Sequence, residues 1–181
     1  SVAVSTAGST QTASAVAVDD STGKLYAVWQ ESRSGHWDIR GASGSGAPWT
    51  QFANPLAATG QDQTNPAIAV DSTGKVDAAW EDKNVGATNI FVTYATNNGL
   101  TWTWQSQFAS TTCIGIDVDE TYIYCNTRNV PSAAITNVYR YLKDGTAAGT
   151  INIDALDPVS TGDDYYGQGI IVYQNMLILG D

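Results

Sequence analysis

The stretch Val16-Ala17-Val18-Asp19-Asp20-Ser21-Thr22-Gly23-Lys24-Leu25-Tyr26-Ala27-Val28-Trp29-Gln30-Glu31 returns as Ile68-Ala69-Val70-Asp71-Ser72-Thr73-Gly74-Lys75-Val76-Asp77-Ala78-Ala79-Trp80-Glu81-Asp82. The spacing from Trp29 to Trp80 is also the spacing from Gly23 to Gly74. One extra residue, at Asp19-Asp20, falls in the turn, where an insertion costs least. Each copy reads as two short strands rich in Val, Ile, Tyr and Trp around a Ser-Thr-Gly-Lys turn, with Gly supplying the positive φ. No 11-residue window keeps an apolar helical period free of Gly, Pro or β-branched clusters, so the chain is expected to be nearly all β.

Two further strands follow each hairpin. Trp37-Asp38-Ile39-Arg40-Gly41-Ala42 aligns with Thr88-Asn89-Ile90-Phe91-Val92-Thr93-Tyr94-Ala95, and Trp49-Thr50-Gln51-Phe52 with Trp102-Thr103-Trp104-Gln105. Four short strands in a period of about 50 residues is the pattern of a propeller blade. A diverged third copy opens at Ile114-Gly115-Ile116-Asp117-Val118, returns as Thr121-Tyr122-Ile123-Tyr124-Cys125, and adds strands at 137–142 and 150–153. A fourth copy has only its hairpin, Ile170 to Leu179. The expectation is an all-β propeller segment of about three and a half four-stranded blades in one domain, 1–181. The blades span about 15–55, 66–110, 113–155 and, in part, 168–181. That count leaves sheet edges and flat faces uncovered. Further blades or a second, identical subunit are therefore expected to complete the object, and Ser1–Ser5 is a candidate extra strand for the last blade.

Of the 181 residues, 43% are hydrophobic, enough for a core, and only 14% are charged against roughly 25% in an average soluble protein. Eight basic against 18 acidic residues give a net charge of −10, which disfavours nucleic acid and anionic membrane surfaces as partners. No apolar run of about 18 residues is present, so no membrane-inserted helix is expected. Ser1-Val2-Ala3-Val4-Ser5 lacks a basic n-region and reads as a mature N-terminus rather than an intact signal peptide. The low charge and Ser/Thr/Gly-rich composition suit a bacterial protein that is extracellular or on the cell surface.

Ala95-Thr96-Asn97-Asn98-Gly99-Leu100-Thr101-Trp102 resembles the Asp-box of sialidase-type (BNR-repeat) propellers, Ser-x-Asp-x-Gly-x-Thr-Trp. Gly99, Thr101 and Trp102 match, while Ala95 replaces the Ser and Asn97 the Asp; the first blade keeps only Gly46 and Trp49. The third blade resembles a different repeat. Lys143-Asp144-Gly145-Thr146-Ala147-Ala148-Gly149-Thr150 is similar to the Asp-Gly-Thr-x-x-Gly-Thr signature of large bacterial surface and secreted repeat proteins. These resemblances imply a propeller fold and leave the activity open.

Sialidase chemistry, as the first resemblance implies it, needs three arginines, a Tyr–Glu pair and an Asp acid/base. The four arginines here are Arg33, Arg40, Arg128 and Arg140, and none sits in the Arg-Ile-Pro motif expected in a first blade. Asp117, Asp119 and Glu120 cluster at one hairpin tip; they read as turn residues, with a Ca²⁺ site as the alternative. Beyond that candidate Ca²⁺, no cofactor is expected. The one histidine, His36, cannot form a zinc set alone, and Gly41–Gly46 lacks the ending of a phosphate loop. Cys113 and Cys125 flank a hairpin and read either as a cross-strand disulfide or as two buried thiols, the bond being favoured in an oxidising compartment. Trp29, Trp80, Trp49 and Trp102 repeat at equivalent positions, as inter-blade packing requires. Trp37 and Trp104, which do not repeat, and Tyr165-Tyr166 beside Asp163-Asp164 are the candidate ligand-binding residues. No catalytic set emerges. The expected function is a non-catalytic module that binds a glycan or protein partner or builds an assembly. The alternatives are a fragment of a sialidase-like glycoside hydrolase and a structural subunit of a surface filament.

Overall fold

A computed structural model describes residues 4–5, 8–33, 35–52, 56, 60–84, 87–96, 102–109, 113, 115–128, 135–152, 169–173 and 176–180. All regular structure among them is strand, and none is helix. The first sheet joins β1 (Thr10–Asp19), β2 (Lys24–Arg33), β3 (His36–Gly44) and β4 (Thr50–Gln51) in chain order. The second joins β5 (Gln63–Val70), β6 (Val76–Asn84), β7 (Ala87–Ala95) and β8 (Thr103–Ala109) in the same way. The third comprises β9 (Gly115–Val118), β10 (Tyr122–Arg128), β11 (Ile135–Leu142) and β12 (Ala147–Asn152), and β13 (Gly169–Tyr173) pairs with β14 (Met176–Gly180). Every pairing is antiparallel between neighbours in sequence, so each sheet is a meander.

The repeat is reproduced residue by residue in the register. Val18 pairs with Leu25 and Leu25 with Gly44; Val70 pairs with Val76 and Val76 with Ala95. Both opening strands carry a bulge at the same place, between Thr12 and Ala15 and between Thr64 and Ala67. Each bulge holds a non-glycine residue at positive φ, Ala13 at 48° and Asn65 at 54°. Extra residues in a ladder increase twist locally and turn the strand. Because of the bulge β1 starts at Thr10, ahead of the expected boundary near residue 15.

The sheets stack face to face through their opening strands, β1 against β5, β5 against β9 and β9 against β13. Between the first two lies a core of Tyr26, Val28, Ile39 and Phe52 from one side and Ile68, Val76, Ala78, Trp80 and Phe91 from the other. Between the second and third lie Ala67, Ala79, Ile90 and Val92 against Ile116, Val118, Ile123 and Cys125. Strand alternation explains the division. Odd and even positions of β6 serve opposite interfaces, Ala78 and Trp80 facing back to the first sheet and Ala79 facing on to the third.

Three expectations are corrected. The fourth strand of the first sheet is only Thr50–Gln51; Trp49 packs on one face and Phe52 fills the other, where Gly41 leaves room for its ring. Val4, from the stretch assigned to the last blade, instead packs beside Ala27 and Trp29 on the first sheet, and neither Val4 nor Ser5 is in a strand. Cys113 and Cys125 do form a disulfide, with Cα atoms 5.4 Å apart, but not between ladder partners. Cys125 pairs with Ile116, and Cys113 stands before β9 begins, so the bond ties the lead-in of the third sheet to its second strand.

Candidate functional site

The two ends of the stack differ in chemistry. At one end lie the β1–β2, β5–β6 and β9–β10 turns, each opened by an aspartate whose carboxylate folds back on its own backbone. Asp19 Oδ1 accepts from Ser21 N–H at 2.9 Å, Asp71 Oδ1 from Thr73 N–H at 2.8 Å, and Asp119 Oδ1 from Thr121 N–H at 2.6 Å. Asp144 repeats the motif in the β11–β12 turn, accepting from Thr146 N–H at 2.8 Å. Hydrogen bonds from the Ser21 and Thr22 hydroxyls hold the Asp19 carboxyl below the usual range. Burial pushes Asp71 the other way, but bonds from Thr73 and Lys75 outweigh it. The candidate cation cluster belongs to this end. Asp119 also accepts from Tyr122 N–H and the Tyr124 hydroxyl, whose pKa is pushed up first by burial and then by that bond. Glu120 Oε1 accepts from Ser72 N–H of the neighbouring sheet at 2.8 Å, and Asp117 Oδ1 from Val118 N–H. These oxygens point to protein partners, and no group of three or more His, Cys, Asp or Glu among the described residues is placed to hold a metal ion.

Between the sheets, a polar clasp recurs that sequence reading missed. Gln30 and Glu81 follow the two repeated tryptophans. Gln30 Oε1 accepts from Asn65 N–H, in the bulge of the next sheet, at 3.2 Å. Glu81 Oε1 accepts from Cys113 N–H, leading into the next sheet, at 2.6 Å. Each also bonds to a threonine on its own opening strand, Gln30 Nε2 donating to Thr12 Oγ1 and Thr64 Oγ1 to Glu81 Oε2. One position further along, Gln11 Nε2 donates to Glu31 at 3.0 Å and Gln63 Nε2 to Asp82 at 3.3 Å. Burial raises the Glu81 pKa, against the lowering effect of its bonds. Asp77, only 1% exposed, is gripped by Lys75 at 2.8 Å and by Lys143 of the third sheet at 2.5 Å. The signal for the clasp was present in the aligned pairs Gln30/Glu81 and Glu31/Asp82. A polar residue repeated beside a core Trp implies an internal partner.

The other end carries the β2–β3 and β6–β7 turns. There Trp37 is half-buried, His36 is exposed, and Asp62 joins the sheets by accepting from Trp37 N–H at 3.0 Å through Oδ1 and from Lys83 N–H through its carbonyl. Trp37 pairs with Ser32 at this end, whereas Trp104 pairs with Thr93 on the edge strand β8 of the second sheet, near the turn end. The two candidates are therefore not brought together. Tyr165 and Tyr166, with Asp163 and Asp164, lie outside the described residues, as does most of the Asp-box-like segment, Asn97 to Thr101. Arg40 stands 4.0 Å from Glu31; Arg140, in the third sheet, donates to Ala148 O and lies over the Tyr122 ring.

No protein-family model and no curated protein matches the chain. Among the solved structures similar to it in fold are two glycosidases. A Hadza microbial sialidase is 15% identical at a TM-score of 0.54, over 80% of this chain and 33% of its own. The GH93 α-L-arabinofuranosidase of Fusarium graminearum, solved with arabinobiose, is 12% identical at a TM-score of 0.55, over 78% of this chain and 48% of its own. The fold is sialidase-like. This chain spans a third to a half of the length of those two propeller glycosidases, and at such identities the likeness is one of architecture alone.

Proposed function

We propose that the stacked sheets are consecutive blades of an extracellular propeller acting as a non-catalytic glycan-binding module, with its ligand surface at the end that carries Trp37. One observation supports this reading above others. Glu31, Asp77, Glu81 and Asp82 are each about 1% exposed and are spent on bonds within and between sheets. Glycoside hydrolysis needs two carboxyl groups facing the scissile bond. The turn aspartates are committed to their own backbone, and at the other end the half-buried Trp37 stands beside the exposed His36 and the polar Asp38 and Asp62. The disulfide suits an oxidising compartment.

The test is calorimetric titration of the chain with sialosides and arabino-oligosaccharides, with Trp37→Ala beside the wild type and a protein-partner capture as control. Binding that weakens in the variant, without hydrolysis, is the expected result. Binding unaffected by Trp37→Ala, or capture of a protein alone, contradicts it. A second reading, part of a propeller glycosidase, is favoured by the two structural neighbours. Release of fluorophore from a sialoside or arabinofuranoside would replace the first reading with this one.

A further inference from the structure

The second and third sheets meet at a charged contact that has no counterpart between the first and second. Asp77 pairs with Ala69 and Tyr94 on β6, at the place where the first sheet carries Tyr26, paired with Ala17 and Ser43. By strand alternation it shares a face with Ala79, so a carboxyl group enters an interface built otherwise from apolar side chains. Asp77 is 1% exposed and Lys143 8%. Lys143 Nζ lies 2.5 Å from Asp77 Oδ2 across the boundary between the sheets, and Lys75 Nζ lies 2.8 Å from Oδ1. Each oxygen of one buried carboxyl group thus faces its own lysine.

Both lysines are set in place by their surroundings. Lys143 opens the β11–β12 turn, which Gly145 N–H closes on Leu142 O and Leu142 N–H on Thr146 O. Lys75 donates its backbone N–H to Asp71 Oδ1, and its ammonium lies 4.7 Å from the centre of the Tyr94 ring. Taking two charges out of water offsets most of the attraction between them. Joined as an amide, the pair loses both charges and keeps one donor and one acceptor. Fixed contact removes the entropic cost of bringing amine and carboxyl together, and the closed interface keeps water from the product.

We propose that Lys143 and Asp77 condense to an isopeptide bond that locks the second sheet to the third. The Lys143 ammonium gives one proton to Oδ2 across their contact, and the freed electron pair on Nζ attacks Cγ. Negative charge then gathers on Oδ1, where Lys75 Nζ stabilises it. As the tetrahedral intermediate collapses, the Cγ–Oδ2 bond breaks and Oδ2 leaves as water, taking a second proton from Nζ. One Nζ–Cγ bond forms, one C–O bond is lost, and nothing is oxidised or reduced. The latch is independent of any glycan at the Trp37 end.

Mass spectrometry of the intact chain, aged after purification and then denatured with its disulfide reduced, tests this directly. The wild type is expected one water lighter than its sequence, and a tryptic digest is expected to hold a branched peptide joining Lys143 to Asp77. Lys143→Arg, which keeps a positive charge without the amine nucleophile, stays at full mass. Lys75→Met slows the loss of water over time, and Lys75→Arg restores it. A wild type at full mass overturns the proposal and leaves the contact an ion pair. So does a water loss that persists in Lys143→Arg, or one that maps to a succinimide at Asp144-Gly145. An unchanged rate in Lys75→Met overturns the role given to Lys75. The wild type's own mass decides the central point, so a variant that fails to fold does not obscure it.

Discussion

Trp29 and Trp80 occupy one position in two copies of the same repeat, yet their surroundings are only half alike. Within their sheets they match: each stands on the second strand, opposite the third, on the face shared with Ala27 or Ala78. Across the sheets they differ. Trp80 meets a whole neighbouring sheet, with Phe91 stacked beside it at 6.1 Å, whereas Trp29 is covered by Val4 and Trp49. A strand's pattern therefore specifies which face is to be buried, and the next sheet decides whether it is. The sharpest way to break this comparison is charge. Ile68→Lys should cost about 4 kcal/mol or more, by burying an ammonium without a partner, while Val16→Lys should stay within about 0.5 kcal/mol in dilute solution. Equal losses in urea denaturation would erase the distinction.

The disulfide sharpens the comparison with the third sheet, whose repeat is most diverged. Replacing Cys113 and Cys125 by serine should lower stability by about 2–4 kcal/mol, read from the midpoint of chemical denaturation, since a short loop is closed in the unfolded chain. Gly41→Ala probes the first interface from the other side. A Cβ there would stand 2.6 Å from a Phe52 ring carbon and 2.9 Å from the Ala27 carbonyl oxygen, so a loss of about 1–3 kcal/mol is expected. The second sheet carries Val92 at the matching place, where no Phe52 ring intrudes.

Much of the fold was legible because packing repeats. Val-Asp…Gly…Trp marked both hairpins, their turns and the buried tryptophans, and apolar runs marked the third and fourth hairpins. The bulges at Ala13 and Asn65 were not legible, since neither residue is a glycine, although both stand at positive φ. The lead-in bearing Cys113 was misplaced for a related reason: equal spacing about Asp119 suggested ladder partners, but the ladder starts later. At the candidate site the positions of Asp19, Asp71 and Asp119 at hairpin turns were legible. The clasp of Gln30 and Glu81 was not, because a single polar residue beside Trp reads as surface; only its repetition in both copies marks an internal partner.

The two clasp residues differ by one atom type, which gives a finer test. Burial raises the Glu81 pKa above its ordinary 4.5, so the folded state holds the proton more tightly than the unfolded. Stability from this group is full below that value and falls as pH rises through the folded pKa. Glu81→Gln, which copies Gln30, should remove that decline and leave stability at pH 7 equal or higher. A variant that is less stable at pH 7 would mean that the carboxylate itself is needed. The smallest effect is expected at the turn end. The carboxyl groups of Asp19 and Asp71 are held below 3.8, so their contribution is present above that pH and is lost only as pH falls further. Asp19→Asn should flatten the acid limb of the stability curve slightly.

The central claim is that one sheet's tryptophan-bearing face packs on the onward face of the sheet before it. The Phe52 and Trp102 rings meet across that boundary with centroids 5.3 Å apart. A double-mutant cycle with Phe52→Leu and Trp102→Leu should return a coupling of about 0.5–1.5 kcal/mol. Strict additivity of the two losses would contradict the packing on which the whole account is built.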